Sequence, residues 1–227
     1  MDLLASATVL SVSLSACGFI ALEKEDNNIA PNAIGHLETI FIDGTSTDCY
    51  GALIDNSSVL SLNHCISGKL VSKMTFYPGG DGKPIGLIPP SQITYSISSL
   101  SDFPKDVAIF TTMSPNRDIV PIKIIDKSDE SDTLILDYAK DPSPENEAKV
   151  FEHCSFTSKS YIPGAYASND CYSPEGTSGR PFIKWKNGEW FITGIYHGYL
   201  KIKNKEDEIL TQGVATTPSS WVFNHSN

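Results

Sequence analysis

The sequence predicts an all-β protein built in two halves and closed by a short C-terminal helix. Three observations carry this expectation. From about residue 36 onward the apolar residues come in short β-branched and aromatic runs, separated by turn signals such as Asp43-Gly44, Asp55-Asn56 and Pro78-Gly79-Gly80. Asn187-Gly188 stands between two aromatic runs, which is the pattern of a two-residue hairpin. Helical character is confined to 218–224, where Pro218 occupies a suitable first helical position.

Strands of the first half are expected at 36–42, 50–54, 58–62, 73–77, 92–97 and 107–111. After Ser114-Pro115-Asn116 a second group is expected at 121–125, 133–138, 149–156, 182–185, 189–196 and 212–216. The polar segment 126–132 reads as a solvated connection.

With 227 residues and 40% apolar composition, the chain can bury a substantial core. Seventeen basic against 27 acidic residues give a net charge of -10, which excludes the clustered cations a nucleic-acid backbone requires. Five cysteines are present: Cys49, Cys65, Cys154 and Cys171 in the body of the chain, and Cys17 apart from them. An even set with one outlier points to an exported, disulfide-bonded protein. Zinc binding is the alternative, because His64-Cys65 and His153-Cys154 put ligand types side by side. The sequence lacks the short Cys-x-x-Cys spacing usual in structural zinc sites.

Residues 3–14 are apolar or small, long enough for a signal-peptide core and short for a membrane span. They end in Leu14-Ser15-Ala16-Cys17, which resembles the lipobox of bacterial lipoproteins. That resemblance implies cleavage before Cys17 and lipidation of it, although Met1-Asp2 departs from the usual basic start. A plain secretory peptide and an uncleaved anchor reaching Leu22 are the other readings, and all three place the protein outside the cytoplasm. The polar stretch 23–32 reads as a tether.

The chemistry-bearing residues fall in three places. His64 lies beside Cys65, and a disulfide from Cys65 to Cys49 across a hairpin would pin the imidazole as a general base needs; a hairpin histidine without a role is the plainer reading. Asp106 heads the apolar strand Val107-Ala108-Ile109-Phe110, where a buried carboxylate needs hydrogen-bond donors such as an imidazole N–H; otherwise it caps the strand. Ser178 sits in Gly176-Thr177-Ser178-Gly179-Arg180-Pro181, where glycines permit a tight turn and close backbone approach.

In this order, Cys49-Tyr50-Gly51-Ala52-Leu53-Ile54 with Leu62-Asn63-His64-Cys65, then Asp106 to Phe110, then Gly176 to Pro181, the chain resembles the trypsin-like (chymotrypsin-fold) serine peptidases. Asp137-Tyr138, the run from Thr193 to Gly198, and Gly213-Val214-Ala215 fit the same pattern. The resemblance implies two six-stranded antiparallel Greek-key β-barrels with a cleft between them. It implies a catalytic triad of His64, Asp106 and Ser178, and an oxyanion hole from the backbone N–H groups of Gly176 and Ser178. Disulfides Cys49–Cys65 and Cys154–Cys171 follow from the same resemblance. It also implies a peptide or protein substrate, a monomer, and no metal or organic cofactor. The domain plan is then a signal peptide over 1–16, a tether over 17–34, a first barrel over 35–115, a linker over 116–130, and a second barrel with the terminal helix over 131–227.

Departures from the pattern are informative. Thr177 stands where activated trypsins carry an aspartate that pairs with a new N-terminus, so that switch is not expected. The approach from Asp170 to Ser178 resembles the compact bacterial members, with Glu175 inserted. Tyr172 occupies the position that selects basic side chains in trypsin and disfavours that preference. Tyr172, Glu175, Tyr196, His197 and Gly198 are the expected substrate-binding set. His197 either faces an acidic substrate side chain or is a hydrogen-bonded structural histidine. An α/β-hydrolase elbow is excluded because Arg180 replaces its last glycine and the helices are missing from the pattern. The rival to an enzyme is a silent binding protein of the same fold, a reading to which Asn63, Thr177 and Arg180 lend weight.

Overall fold

Alternation decides which face of the first strand is buried. In the computed structural model, which describes residues 31–79, 82–92, 100–125, 133–137, 150–154, 165–168, 177–203, 209–218 and 221, strand β1 (Ile34–Phe41) buries Leu37, Thr39 and Phe41 and leaves His36, Glu38 and Ile40 partly exposed. That is the two-residue period of a half-buried strand. With β2 (Ser46–Asp55), β3 (Ser58–Leu62), β4 (Val71–Pro78), β5 (Ile85–Leu87) and β6 (Val107–Thr111), it forms an antiparallel sheet ordered β5-β4-β1-β2-β3-β6. The two edges meet: Leu87 bridges Thr112, Ile88 N–H donates to Thr111 O at 2.9 Å, and Met113 N–H donates to Gly86 O at 2.8 Å. The sheet is therefore a closed six-stranded barrel. Closure removes the unpaired edges that an open sheet would expose.

The second sheet contains β8 (Thr133–Asp137), β9 (Val150–Cys154), β10 (Ala165–Ser168), β11 (Pro181–Lys186), β12 (Glu189–Lys203) and β13 (Ile209–Thr216), ordered β10-β13-β12-β11-β8-β9. Counted in chain order within each half, both sheets follow the same cyclic order, 5-4-1-2-3-6. They differ in where the ring is opened, which in the second half is between β9 and β10. The short β7 (Lys123–Ile124) runs parallel to β12. Asn187 and Gly188 both have positive φ, 53° and 82°, as a two-residue hairpin between β11 and β12 demands.

One apolar cluster spans both halves, since Ile183, Ile192 and Ile195 pack with Leu53, Leu60, Val107 and Ile122. Ile122 N–H also donates to Leu53 O at 3.0 Å, tying the connection to the first barrel.

Several expectations need adjustment. β5 and β10 were not expected: β5 is three residues between prolines, and β10 is rich in alanine, so neither carries a strong strand pattern. β12 runs seven residues beyond its expected end, because Tyr199 to Lys203 pair with β13. The strand expected at 92–97 falls almost wholly outside the described residues. So does the C-terminal helix, apart from Pro218 and Trp221, where Trp221 N–H donates to Pro218 O at 3.1 Å. Among the described residues, no helix is long and apolar enough to cross a membrane. The segment containing Cys17 lies outside them.

Candidate active site

Strand register brings His64 and Asp106 together. β3 and β6 pair Leu62 with Val107, so the residue just before β6 lies opposite the residues just after β3. There the chain makes a 3₁₀ turn, Asn63–Cys65. Asn63 N–H donates to Asp106 O, and the Asn63 amide donates to Lys105 O at 3.0 Å and Val107 O at 3.3 Å, clamping the backbone on both sides of Asp106. His64 N–H donates to Asp106 Oδ1 at 2.9 Å, and His64 Nδ1 lies 2.7 Å from Asp106 Oδ2. Both carboxylate oxygens thus serve one histidine. A disulfide between Cys49 in β2 and Cys65 fixes the turn from its other end. Closing a loop of this length stabilises a fold by about 3 kcal/mol.

The turn carrying Ser178 docks across the barrels onto Tyr50 of β2. Tyr50 N–H donates to Ser178 O at 2.7 Å, and Ser61 Oγ donates to Tyr50 O at 2.6 Å. Gly179 has φ +84°, and a Cβ there would lie 2.2 Å from Tyr50 O and 2.7 Å from Ser61 Oγ. Arg180 is 1% exposed with its guanidinium 4.9 Å from the centroid of the Tyr50 ring. A buried cation–π contact of this kind contributes about 2 kcal/mol. The residue that looked foreign to the motif therefore belongs to the seam between the barrels. We expect Gly179→Ala to slow reaction at Ser178 by at least about 100-fold, the cost of roughly 1 Å of misplacement. Rates per folded molecule, compared with wild type, check this.

His197 is the third participant. β12 pairs Tyr196 with Ala215 and Gly198 with Val214, so His197 is the extra residue of a β-bulge, a device that re-aims a side chain. Its buried ring places Nδ1 2.9 Å from Asp106 Oδ2 and Nε2 2.8 Å from Thr216 Oγ1. Ser178 Oγ donates to the His197 carbonyl at 3.3 Å. His197 therefore links the Ser178 turn to the His64–Asp106 pair.

Burial alone would raise the Asp106 carboxyl, but hydrogen bonds from His197 and His64, with the charge of those rings, hold it below its ordinary value. For His197, burial dominates and pushes the ring below its ordinary value of 6.5, against the pull of Asp106. The folded state thus resists protonating His197 while the unfolded chain does not. Its contribution to stability is full above about pH 6.5 and is lost as pH falls through the depressed folded value. Urea midpoints taken at descending pH should show this loss in the wild type and a weaker one in His197→Leu.

The structure brings together His64, Asp106, His197 and Ser178, with Tyr196 buried beside them and Gly198 at φ +141° in the bulge. Of the two readings open for His197, a substrate-facing or a hydrogen-bonded histidine, the second matches the structure: both ring nitrogens are engaged within the protein. Gly176, Tyr172, Glu175 and Cys171 lie outside the described residues, as does the Cys154 side chain, and with them the second disulfide. Asn63 and Thr216 were missed as positioning groups; their signals, an amide before His64 and a hydroxyl ending β13, are too common to stand out in sequence. As for metals, Cys49 and Cys65 sit with His64 but their thiols are joined to each other. His64, Asp106 and His197 offer ligand atoms within 4.8 Å of one another, and their facing atoms are engaged in the hydrogen bonds just described.

No family model matches the sequence, and no curated protein matches it. Solved structures do. A thermostable serine protease, AL20, from an extremophilic microorganism aligns with a TM-score of 0.58 at 13% identity, covering 82% of this chain and 91% of that one. The fold is that of the chymotrypsin-like serine proteases. An inactivated protease paralogue of the scabies mite, S-I1, aligns with a TM-score of 0.59 at 14% identity, covering 83% and 91%. HL collagenase aligns with a TM-score of 0.57 at 15% identity, covering 83% and 89%. At such identities the likeness speaks for the chymotrypsin-like fold alone, and the presence of an inactivated paralogue underlines that activity must be argued from the site. The disulfide together with this fold fits an exported protein.

Proposed function

We propose that the protein is an exported serine endopeptidase. The observation that carries this reading is the grip of Asp106 on His64 through both carboxylate oxygens, linked through His197 to a serine on a glycine turn. A base whose tautomer and orientation are held in advance is what nucleophilic activation of a hydroxyl needs. In the proposed mechanism Ser178 Oγ turns from the His197 carbonyl to His64 and attacks the peptide carbonyl carbon as His64 takes its proton. The oxyanion forms against the backbone N–H groups of Gly176 and Ser178. Collapse expels the amine, which leaves with the proton from His64, and water then releases the acyl group by the reverse sequence. Asp106 holds the imidazole throughout and stabilises its charged form.

Tyr172, Glu175 and Gly198 are proposed to face substrate, whereas Tyr196, expected in the same set, is buried in the protein. Cys17 is proposed to be lipidated after cleavage of residues 1–16. The Cys154–Cys171 disulfide belongs to the same proposal.

The test is labelling of the purified wild type with a fluorophosphonate probe, the adduct being mapped by peptide mass spectrometry. Modification at Ser178 is expected. A folded protein that never labels overturns the reading and leaves a silent binding protein of this fold.

A further inference from the structure

Asp106 accepts three hydrogen bonds within the protein, and one comes from a second histidine. The proton positions along that second branch can be derived. An indole N–H only donates, so Thr216 Oγ1 accepts from Trp221 Nε1 at 2.9 Å. An ionised carboxylate only accepts, so the His197 nitrogen facing Asp106 carries a proton. With His197 neutral, its Nε2 is then an acceptor and receives the single proton of the Thr216 hydroxyl. Trp221, Thr216, His197 and Asp106 form a chain in which every group donates in the same direction. The His197 ring is further held by the Phe103 ring, edge-on at 5.1 Å.

We propose that His197 is a positioning residue of the active site, its Nδ1–H holding the Asp106 carboxylate in the orientation that grips His64. This rests on the triad reading above. Rotation of the carboxylate about its Cβ–Cγ bond would break three hydrogen bonds at once, so the bulge in β12 immobilises a group just ahead of β6. The same donor draws charge from Oδ2 and weakens the attraction of that oxygen for positive charge on the facing imidazole. Among the described residues, His64 and His197 are the titratable groups hydrogen-bonded to Asp106. Asp102 and Lys105 from the preceding 3₁₀ segment (Leu100–Lys105) pair with each other at 3.6 Å, and Arg180 lies over Tyr50.

The experiment compares full-chain wild type with His197→Leu, His197→Asn and Thr216→Val, measuring the fluorophosphonate labelling rate per folded molecule from about pH 5 to about pH 9. Loss of a hydrogen bond to a charged group predicts a rate about 10- to 100-fold lower in His197→Leu. Its acidic limb should move to higher pH. His197→Asn, whose amide can donate from near the Nδ1 position, should recover most of the rate. Thr216→Val should lose several-fold. A purely structural histidine would lower the melting temperature of His197→Leu but leave the rate per folded molecule and the acidic limb unchanged, and that outcome overturns the proposal. If His197→Leu does not fold, an unchanged rate and limb in Thr216→Val overturns it. A wild type that never labels refutes the triad reading instead, and imidazole ¹⁵N NMR then decides this one. The proposal expects a neutral His197 with its proton on Nδ1; the opposite tautomer overturns it.

Discussion

Ser178→Ala should lower peptide-bond hydrolysis by about 10⁶-fold, the scale of removing a nucleophile from a triad. The substitution deletes one oxygen and leaves the scaffold. The Ser178 backbone carbonyl still accepts from Tyr50 N–H, and the Gly179 turn still packs on Tyr50 O. Among the described residues the Ser178 hydroxyl donates to the His197 carbonyl, which does not depend on it for its place in the β12 bulge. The melting temperature should therefore barely change while labelling and turnover vanish. Active-site titration alongside thermal denaturation checks both halves. A variant that retains turnover would show that another residue performs the chemistry.

Asp106→Asn should cost about 10⁴-fold, by a different route. Both oxygens of Asp106 now accept: Oδ1 from His64 N–H, and Oδ2 from the imidazoles of His64 and His197. In the variant the amide oxygen can keep the backbone N–H, and the amide nitrogen then faces two imidazole nitrogens. An NH₂ group cannot accept from either ring. His64 must present an unprotonated Nδ1, which moves its proton to Nε2, the nitrogen that has to receive the Ser178 proton. The base is thereby blocked without any change in its distance from the amide. Imidazole NMR should show the tautomer change, and rate measurements the loss. A fall of less than about tenfold would contradict the role given to Asp106.

Much of this site could be read from the chain before folding was considered. The patterns around His64, Asp106 and Ser178 are local: a histidine next to a cysteine, a carboxylate heading an apolar strand, a serine among glycines. Each follows from what a few consecutive residues can do. The strands at 58–62 and 107–111 were equally legible, because β-branched runs between turn residues have few other uses. Arg180 and Asn63 were visible but misjudged. In sequence they look like damage to a motif, whereas in the fold one stacks on Tyr50 and the other clamps the backbone around Asp106.

What sequence alone determined, then, is the short β-branched runs and turn chemistry that make the chain all-β, and the inventory of groups proposed for acyl transfer. Tertiary structure decided which of them meet. Closure of the first barrel between β5 and β6 depends on a three-residue strand with little intrinsic preference, so only the partner edge makes it a strand. The orientation of His197 depends on a one-residue register shift between β12 and β13, which no window of either strand encodes. A shift of one residue turns a side chain to the other face of a sheet. Here it turns the His197 ring onto the carboxylate that holds His64.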